Sequence, residues 1–173
     1  MENIEIRKIT IKDIDQLLKI GKQTFIETYS SDNTEKNMKK YMEEGFSTKK
    51  MKTELTDKNA EFYFAEFEGN VIGYLKLNVR LSQTVQVNEN ALEVERIYVL
   101  KDFHRKKIGQ LLIEKAIEVS EQRKVDFIWV GVWEKNPRAI QFYEKNGFVE
   151  FDKHKFNLGD DEQIDIMMKM KLN

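Results

Sequence analysis

Seven consecutive residues, Phe127-Ile-Trp-Val-Gly-Val-Trp133, carry no charge and consist mainly of β-branched and aromatic side chains. The run is far too short to cross a bilayer, and its composition favours a strand. Apolar residues at both parities require cover on both faces, which predicts a sheet with helices packed around it. The flanks supply those helices. Ile108, Leu111, Leu112, Ala116 and Val119 fall on one helical face before the run. After it, Asn136-Pro137 reads as an N-cap with proline at the first helical position, and Gly147 as the stop.

The rest of the chain fits this frame. Ile4, Ile6 and Ile9 open as a short strand, and Thr10 to Asp13 reads as a capping box before Ile14, Leu17 and Leu18 at helical spacing. Helices are expected from about Thr34, carrying Met38, Tyr41 and Met42, and from Thr48 to Leu55. The period then changes. Phe62 to Phe67 and Val71 to Val79 read as a hairpin around Glu68-Gly69-Asn70, and polar residues 80–91 as a loop. Leu92 to Val99 is a further strand, with Phe148 to Phe151 and Ile164 to Leu172 as closing strands. With one proline and no linker or repeat, residues 1–173 read as a single α/β domain on a mixed sheet of about seven strands.

Composition removes several function classes. Lys and Arg number 29 against 30 Asp and Glu, so the basic excess expected of a nucleic-acid binder is missing. Without cysteine there is no disulfide, thiolate metal site or cysteine nucleophile, and two histidines, His104 and His154, make a His-based metal site an unfavoured reading. No apolar run reaches membrane-spanning length and no signal-peptide pattern opens the chain, so it reads as soluble and cytoplasmic.

Two segments carry chemistry. In Val99-Leu-Lys-Asp-Phe-His-Arg-Lys-Lys-Ile-Gly-Gln-Leu-Leu112, a strand ends, a basic loop follows and a helix begins. Unpaired amides, the helix dipole, Arg105, Lys106 and Lys107 suit a pyrophosphate, and Gly109 permits close backbone approach. Read alone, the segment equally suits a solvated basic turn. The second segment, Asn136-Pro-Arg-Ala-Ile-Gln-Phe-Tyr-Glu-Lys-Asn-Gly-Phe148, read alone is a capped amphipathic helix with Tyr143 as packing.

In this order, separated by one buried strand, the two resemble the GNAT superfamily of N-acetyltransferases. That superfamily reads Gln/Arg-x-x-Gly-x-Gly/Ala in the first motif and Asn-x-x-Ala-x-x-Phe-Tyr-x-x-x-Gly-Phe in the second. Asn136, Ala139, Phe142, Tyr143, Gly147, Phe148 and Gly109 match, whereas His104 and Lys107 depart. A side chain at Lys107 disfavours positive φ, so an ordinary backbone with the lysine reaching a phosphate is expected. Leu92-Glu-Val-Glu-Arg-Ile-Tyr-Val99, Val130-Gly-Val-Trp-Glu-Lys-Asn136, Glu27-Thr-Tyr29, Asn37-Met38 and Gly159-Asp-Asp-Glu-Gln-Ile-Asp165 are similar to the PaiA-type bacterial spermidine/spermine acetyltransferases.

The resemblance implies acetyl-CoA as cofactor and a small amine, a polyamine above all, as acceptor. It implies a splayed fourth strand whose Ile97, Tyr98 and Val99 meet the pantetheine. Loop amides from Arg105 through Lys106, Lys107, Ile108 and Gly109 to Gln110 would hold the pyrophosphate, and His104 would make an anion contact. Asn136 and Ala139 would line the cofactor arm, and Tyr143 would protonate the leaving thiolate. An aliphatic amine is mostly protonated at neutral pH and needs a proton acceptor before it attacks. Glu93 and Glu95, on one face of a regular strand, are the candidates, Glu95 matching the polyamine branch. Glu27 and Tyr29, with Phe25, Glu43 and Glu44, are candidates for the acceptor groove, and His154 reads as structural. A protein N-terminus, a lysine or an aminoglycoside is the alternative acceptor, and an acetyl-CoA-binding regulator the alternative class. A homodimer is common in the superfamily.

Overall fold

The buried run forms β5 (Phe127–Trp133), the hub of a seven-stranded sheet, in the computed structural model, which describes residues 3–172. Strand order is β1 (Ile4–Lys8), β2 (Ala60–Phe67), β3 (Asn70–Val79), β4 (Ala91–Val99), β5, β7 (Asp161–Lys171), β6 (Val149–Leu158). The β4–β5 pair is parallel and the others antiparallel. The parallel crossover runs through α4 (Ile108–Arg123), as a buried parallel pair requires.

Three helices, α1 (Ile14–Tyr29), α2 (Glu35–Gly45) and α3 (Thr48–Leu55), pack Leu17, Ile20, Phe25, Met38 and Met51 against Phe62, Phe64 and Tyr74 on one sheet face. On the other, α4 and α5 (Pro137–Lys145) pack Ile108, Leu112, Ala116 and Tyr143 against Leu75, Leu77, Val94, Val130 and Val132. The capping signals act locally. Thr34, Ser47 and Asn136 each accept an amide of the first turn of α2, α3 and α5. The Thr10 capping box opens a 3-10 turn, Ile11–Asp13, from which α1 continues.

The hairpin turn sits at Glu68 and Gly69, both at positive φ, which suits the twist of the flanking strands. The closing strands are longer than patterning predicts. β6 runs ten residues and β7 eleven, joined at Gly159-Asp160. Their extra length is mostly polar and exposed, and only Phe156, Leu158 and Gln163 of it turn inward, too few to mark an apolar alternation.

Candidate active site

The site is created where β4 leaves β5. Their pairing runs from Ala91–Phe127 to Val94–Val130 and stops. On the other edge of β4, the register with β3 slips between Leu77–Val94 and Lys76–Arg96, leaving Glu95 as an extra residue without a partner. This is a β-bulge, which bends its strand and increases the local twist. Beyond it, Ile97, Tyr98 and Val99 border a cavity of about 710 Å³ between the splayed strand and the N-terminal ends of α4 and α5.

Arg105, Lys107, Ile108, Gly109, Gln110, Asn136, Ala139 and Tyr143 also line this cavity. Two expectations for the loop need correction. Lys107 stands at φ 63° and ψ 20°, and Arg105 at φ 63°, so the loop is left-handed at both in spite of their side chains. The strain of about 1 kcal/mol per residue is imposed from both ends, because β4 fixes the entry and the fully buried Ile108 fixes the exit. Lys106 is not on the cavity wall; its ammonium lies 5.3 Å from the centre of the Phe103 ring.

The loop geometry suits an anion. Lys107, as N-cap, offers no side-chain acceptor to α4, so the first-turn amides keep free donors aimed at the cavity beside two cations. A Cβ on Gly109 would touch only Phe142, at 3.7 Å, so packing does not demand the glycine. It keeps the cavity floor open. The Gln110 side chain is locked to Asn146 through two amide hydrogen bonds of 2.9 and 3.2 Å, leaving its backbone amide for a ligand. The site therefore fits a pyrophosphate with an apolar-lined arm.

His104 borders the cavity without a free N–H for an anion. Its Nε2 bonds the Val99 carbonyl at 2.8 Å, and Nδ1 accepts from Arg138 at 2.6 Å. Burial and the Arg138 charge lower its pKa. The expected anion contact gives way to a supporting one, in which the ring positions Arg138 on the cavity wall.

Tyr143 projects from α5 into the cavity between Phe142 and Phe148, whose rings meet it edge-on at 5.2 and 5.5 Å. Burial pushes its phenol well above the usual value, so it carries its proton at neutral pH.

A second, smaller cavity of about 240 Å³ lies on the α1–α3 side. Phe25, Tyr29, Tyr41, Phe46, Tyr74, Tyr98, Trp129 and Phe156 wall it with aromatic rings. Tyr98 belongs to both cavities. Glu93, Glu95, Arg96, His154 and Asp165 supply its charge-bearing groups. The bulge does not separate Glu93 from Glu95, for both accept from Asn78 Nδ2, at 3.0 and 2.8 Å.

Their states differ. Glu95 also accepts Lys76 Nζ at 2.6 Å and pairs with Arg96 Nη2 at 3.0 Å. Burial pulls its pKa up, but Arg96 and Lys76 outweigh it and hold the carboxyl at about 2. Lys76 and Arg96 both pair with Glu54 of α3 as well, the latter at 3.0 Å. These four charges form a neutral quartet, so Glu95, expected as the base, is occupied in an ion-pair network. Glu93 accepts from Asn78, from the Thr84 amide at 2.7 Å and from the Thr84 hydroxyl, while burial raises its pKa.

Of the other groove candidates, Phe25 and Tyr29 are on the wall, Tyr29 lying 4.8 Å from Trp133 ring to ring. Glu27 is not; its carboxylate accepts the Lys101 amide at 3.0 Å outside the cavity. Glu43 and Glu44 are exposed and also absent from the wall. His154, read as structural, borders the cavity from β6. Asp165 had no marker in the sequence beyond its place in a resembling string. It faces His154 across β6–β7, and its carboxylate lies over Gly131, where a Cβ would come within 3.2 Å of Oδ2.

The Acetyltransferase (GNAT) family model matches residues 22–148. The chain belongs to this family. An uncharacterised N-acetyltransferase of Lactobacillus delbrueckii subsp. lactis is 37% identical over 172 residues, 99% of each chain. The spermidine N(1)-acetyltransferase of Thermoplasma acidophilum is 26% identical over 150 residues, covering 84% of this chain and 88% of that one. The crystal structure of PaiA N-acetyltransferase from Thermoplasma acidophilum in complex with coenzyme A superposes with a TM-score of 0.80, at 24% identity over 98% and 99% of the two chains. The GNAT chain is an acetyl-CoA-dependent N-acetyltransferase. Among its described residues, no helix is long and apolar enough to cross a membrane.

Proposed function

We propose that this N-acetyltransferase uses a small polyamine as acceptor, with the larger cavity taking acetyl-CoA and the smaller one the amine. Acetyl-CoA supplies the acetyl thioester. Arg105, Lys107 and the α4 amides would hold its pyrophosphate, Ile97 to Val99 and Asn136 would align its arm, and Tyr143 would give a proton to the departing sulfur.

The observation that carries the acceptor assignment is the charge balance of the smaller cavity. Lys76 and Arg96 are neutralised by Glu54 and Glu95, which leaves Glu93 and Asp165 as carboxylates without a cation of their own among the described residues. With aromatic walls between them, they suit ammonium groups on a methylene spine. The similarity to a spermidine acetyltransferase supports the same class. In an assay of thiol release, spermidine and spermine should react faster than n-butylamine at equal concentration, and salt should raise KM by screening. Equal rates and no salt dependence would remove the polyamine assignment.

One observation favours a second acceptor. Arg96 Nη1 is buried without a partner among the described residues, and a peptide N-terminus could offer it a carbonyl oxygen. A short peptide amide outpacing spermidine in the same assay would select this reading.

A further inference from the structure

The smaller cavity needs one group able to take a proton from the incoming ammonium. Glu95 has Lys76, Asn78 and Arg96 on its oxygens, and Glu93 has Asn78 and both donors of Thr84. Asp165 has neither hydrogen bond nor ion pair among the described residues.

Its position is as telling as its freedom. Asp165 pairs with Trp133, three residues past the last β4–β5 contact at Val130, so it stands on the limb of the splay opposite Glu95. Trp133 is also three residues before Asn136, which lines the cofactor cavity. Asp165 shares the smaller cavity with Tyr29 and Tyr98, and Tyr98 also lines the larger one. β5 makes room for it. Gly131 lies between Trp129 and Trp133 on the cavity side of the strand, and the carboxylate occupies the space a side chain there would fill.

We infer that Asp165 of β7 is the catalytic proton acceptor for the acceptor amine, a place that resemblance alone gives to Glu95 of β4. The inference rests on the amine entering the smaller cavity. One ammonium proton passes to the Asp165 carboxylate and from there to solvent. The nitrogen lone pair then bonds the acetyl carbon, the C–S bond breaks, and the second nitrogen proton balances the one that Tyr143 gives to sulfur. Burial, with Glu93 as a smaller cause, raises the Asp165 pKa to about 6. The other titratable groups on the same cavity are Glu95, Arg96 and Tyr98 of β4, Tyr74 of β3, Tyr29 of α1, Tyr41 of α2 and His154 of β6.

The test is the pH profile of kcat/KM for the intact protein, measured with whichever of spermidine, n-butylamine and an alanyl peptide amide reacts fastest. Failure of the polyamine preference then leaves this test intact. Wild type should gain about tenfold per pH unit below 6 and level off above it, because the protein takes the proton itself. Asp165→Asn should lose about a hundredfold at pH 7 and keep climbing toward pH 9 as free amine accumulates, with the CoA-induced rise in Tm unchanged. Asp165→Glu should restore part of the rate and the plateau. A wild-type profile that climbs unbroken to pH 9, or an Asp165→Asn profile that keeps its plateau within threefold of wild type, overturns the assignment. If the Asp165 variants do not fold, an unbroken wild-type profile still overturns the assignment, and so does a break that is lost in Glu93→Gln or His154→Gln, whereas a break that both variants keep supports it. Wild type that binds CoA but acetylates none of the three amines removes the placement of the amine and the assignment of Asp165 together.

Discussion

Glu95 and Arg96 are consecutive in β4 yet face the same cavity, joined side chain to side chain at 3.0 Å. In a regular strand they would point to opposite faces. The bulge at Glu95 breaks the alternation, and the same irregularity coincides with the parting of β4 from β5. One extra residue thus opens the larger cavity and brings a buried ion pair to the edge of the smaller one.

Removing one charge from the quartet should expose its structural weight. Glu95→Gln leaves Lys76 and Arg96 sharing Glu54 alone and should cost about 3 kcal/mol in urea unfolding at pH 7. The Glu95 pKa is depressed from 4.5 to about 2, so its contribution is complete above pH 4.5 and lost as pH falls toward 2. The gap between variant and wild type should therefore close in acid. In activity assays this variant should keep the break near pH 6, and a lost break would return the base to Glu95.

Asp165 presents the opposite sign. Its pKa is raised from 3.8 to about 6, so wild-type stability is complete below pH 3.8 and falls as pH rises through 6. Asp165→Asn should stabilise the protein by about 2 kcal/mol at pH 8, and the gain should vanish below pH 4. Thermal unfolding at the two pH values measures it. A functional group held at a cost in stability is the pattern expected of an active site.

Tyr143→Phe keeps the ring that packs between Phe142 and Phe148 and removes only the phenol. Folding and CoA affinity should be nearly unchanged, while turnover falls about a hundredfold in a chemistry-limited assay. Near-normal turnover would assign thiolate protonation to another group.

Lys107→Gly should relieve the left-handed backbone and raise Tm, by up to about 1 kcal/mol at the midpoint. Of the charge reversals, Lys107→Glu should weaken CoA binding in calorimetry more than Lys106→Glu, because only Lys107 borders the cavity. Equal losses would mean that the loop acts through its net field.

The fold was legible where burial writes a pattern. The run 127–133, the helix faces of α1 and α4, the caps at Thr34 and Asn136 and the Glu68-Gly69 turn all follow from local periodicity and turn chemistry. The extensions of β6 and β7 did not, because most of their residues are polar and exposed and the few inward ones, Phe156, Leu158 and Gln163, make no sustained alternation. The wall of the larger cavity was legible because one contiguous segment fixes its backbone amides. The wall of the smaller cavity was not. It is assembled from α1, α2, β3, β4, β5, β6, β7 and the 80–91 loop, whose Thr84 reaches back to Glu93. Glu54 lies 41 positions from Glu95, and the two share a charge cluster only because α3 crosses the sheet there. Asp165 looked like one carboxylate among thirty acidic residues until Gly131, across the β5–β7 pair, gave it somewhere to lie.

Tyr98 has one consequence for kinetic order. The residue lines both cavities, so in the proposed arrangement amine and thioester occupy separate spaces and need not queue for one doorway. Both can be aboard at once, and neither product has to depart before the second reactant arrives. Double-reciprocal plots should therefore intersect, and a compound joining an amine to coenzyme A through a short spacer should bind far more tightly than either half, because one molecule would collect both binding energies without a second loss of translational freedom.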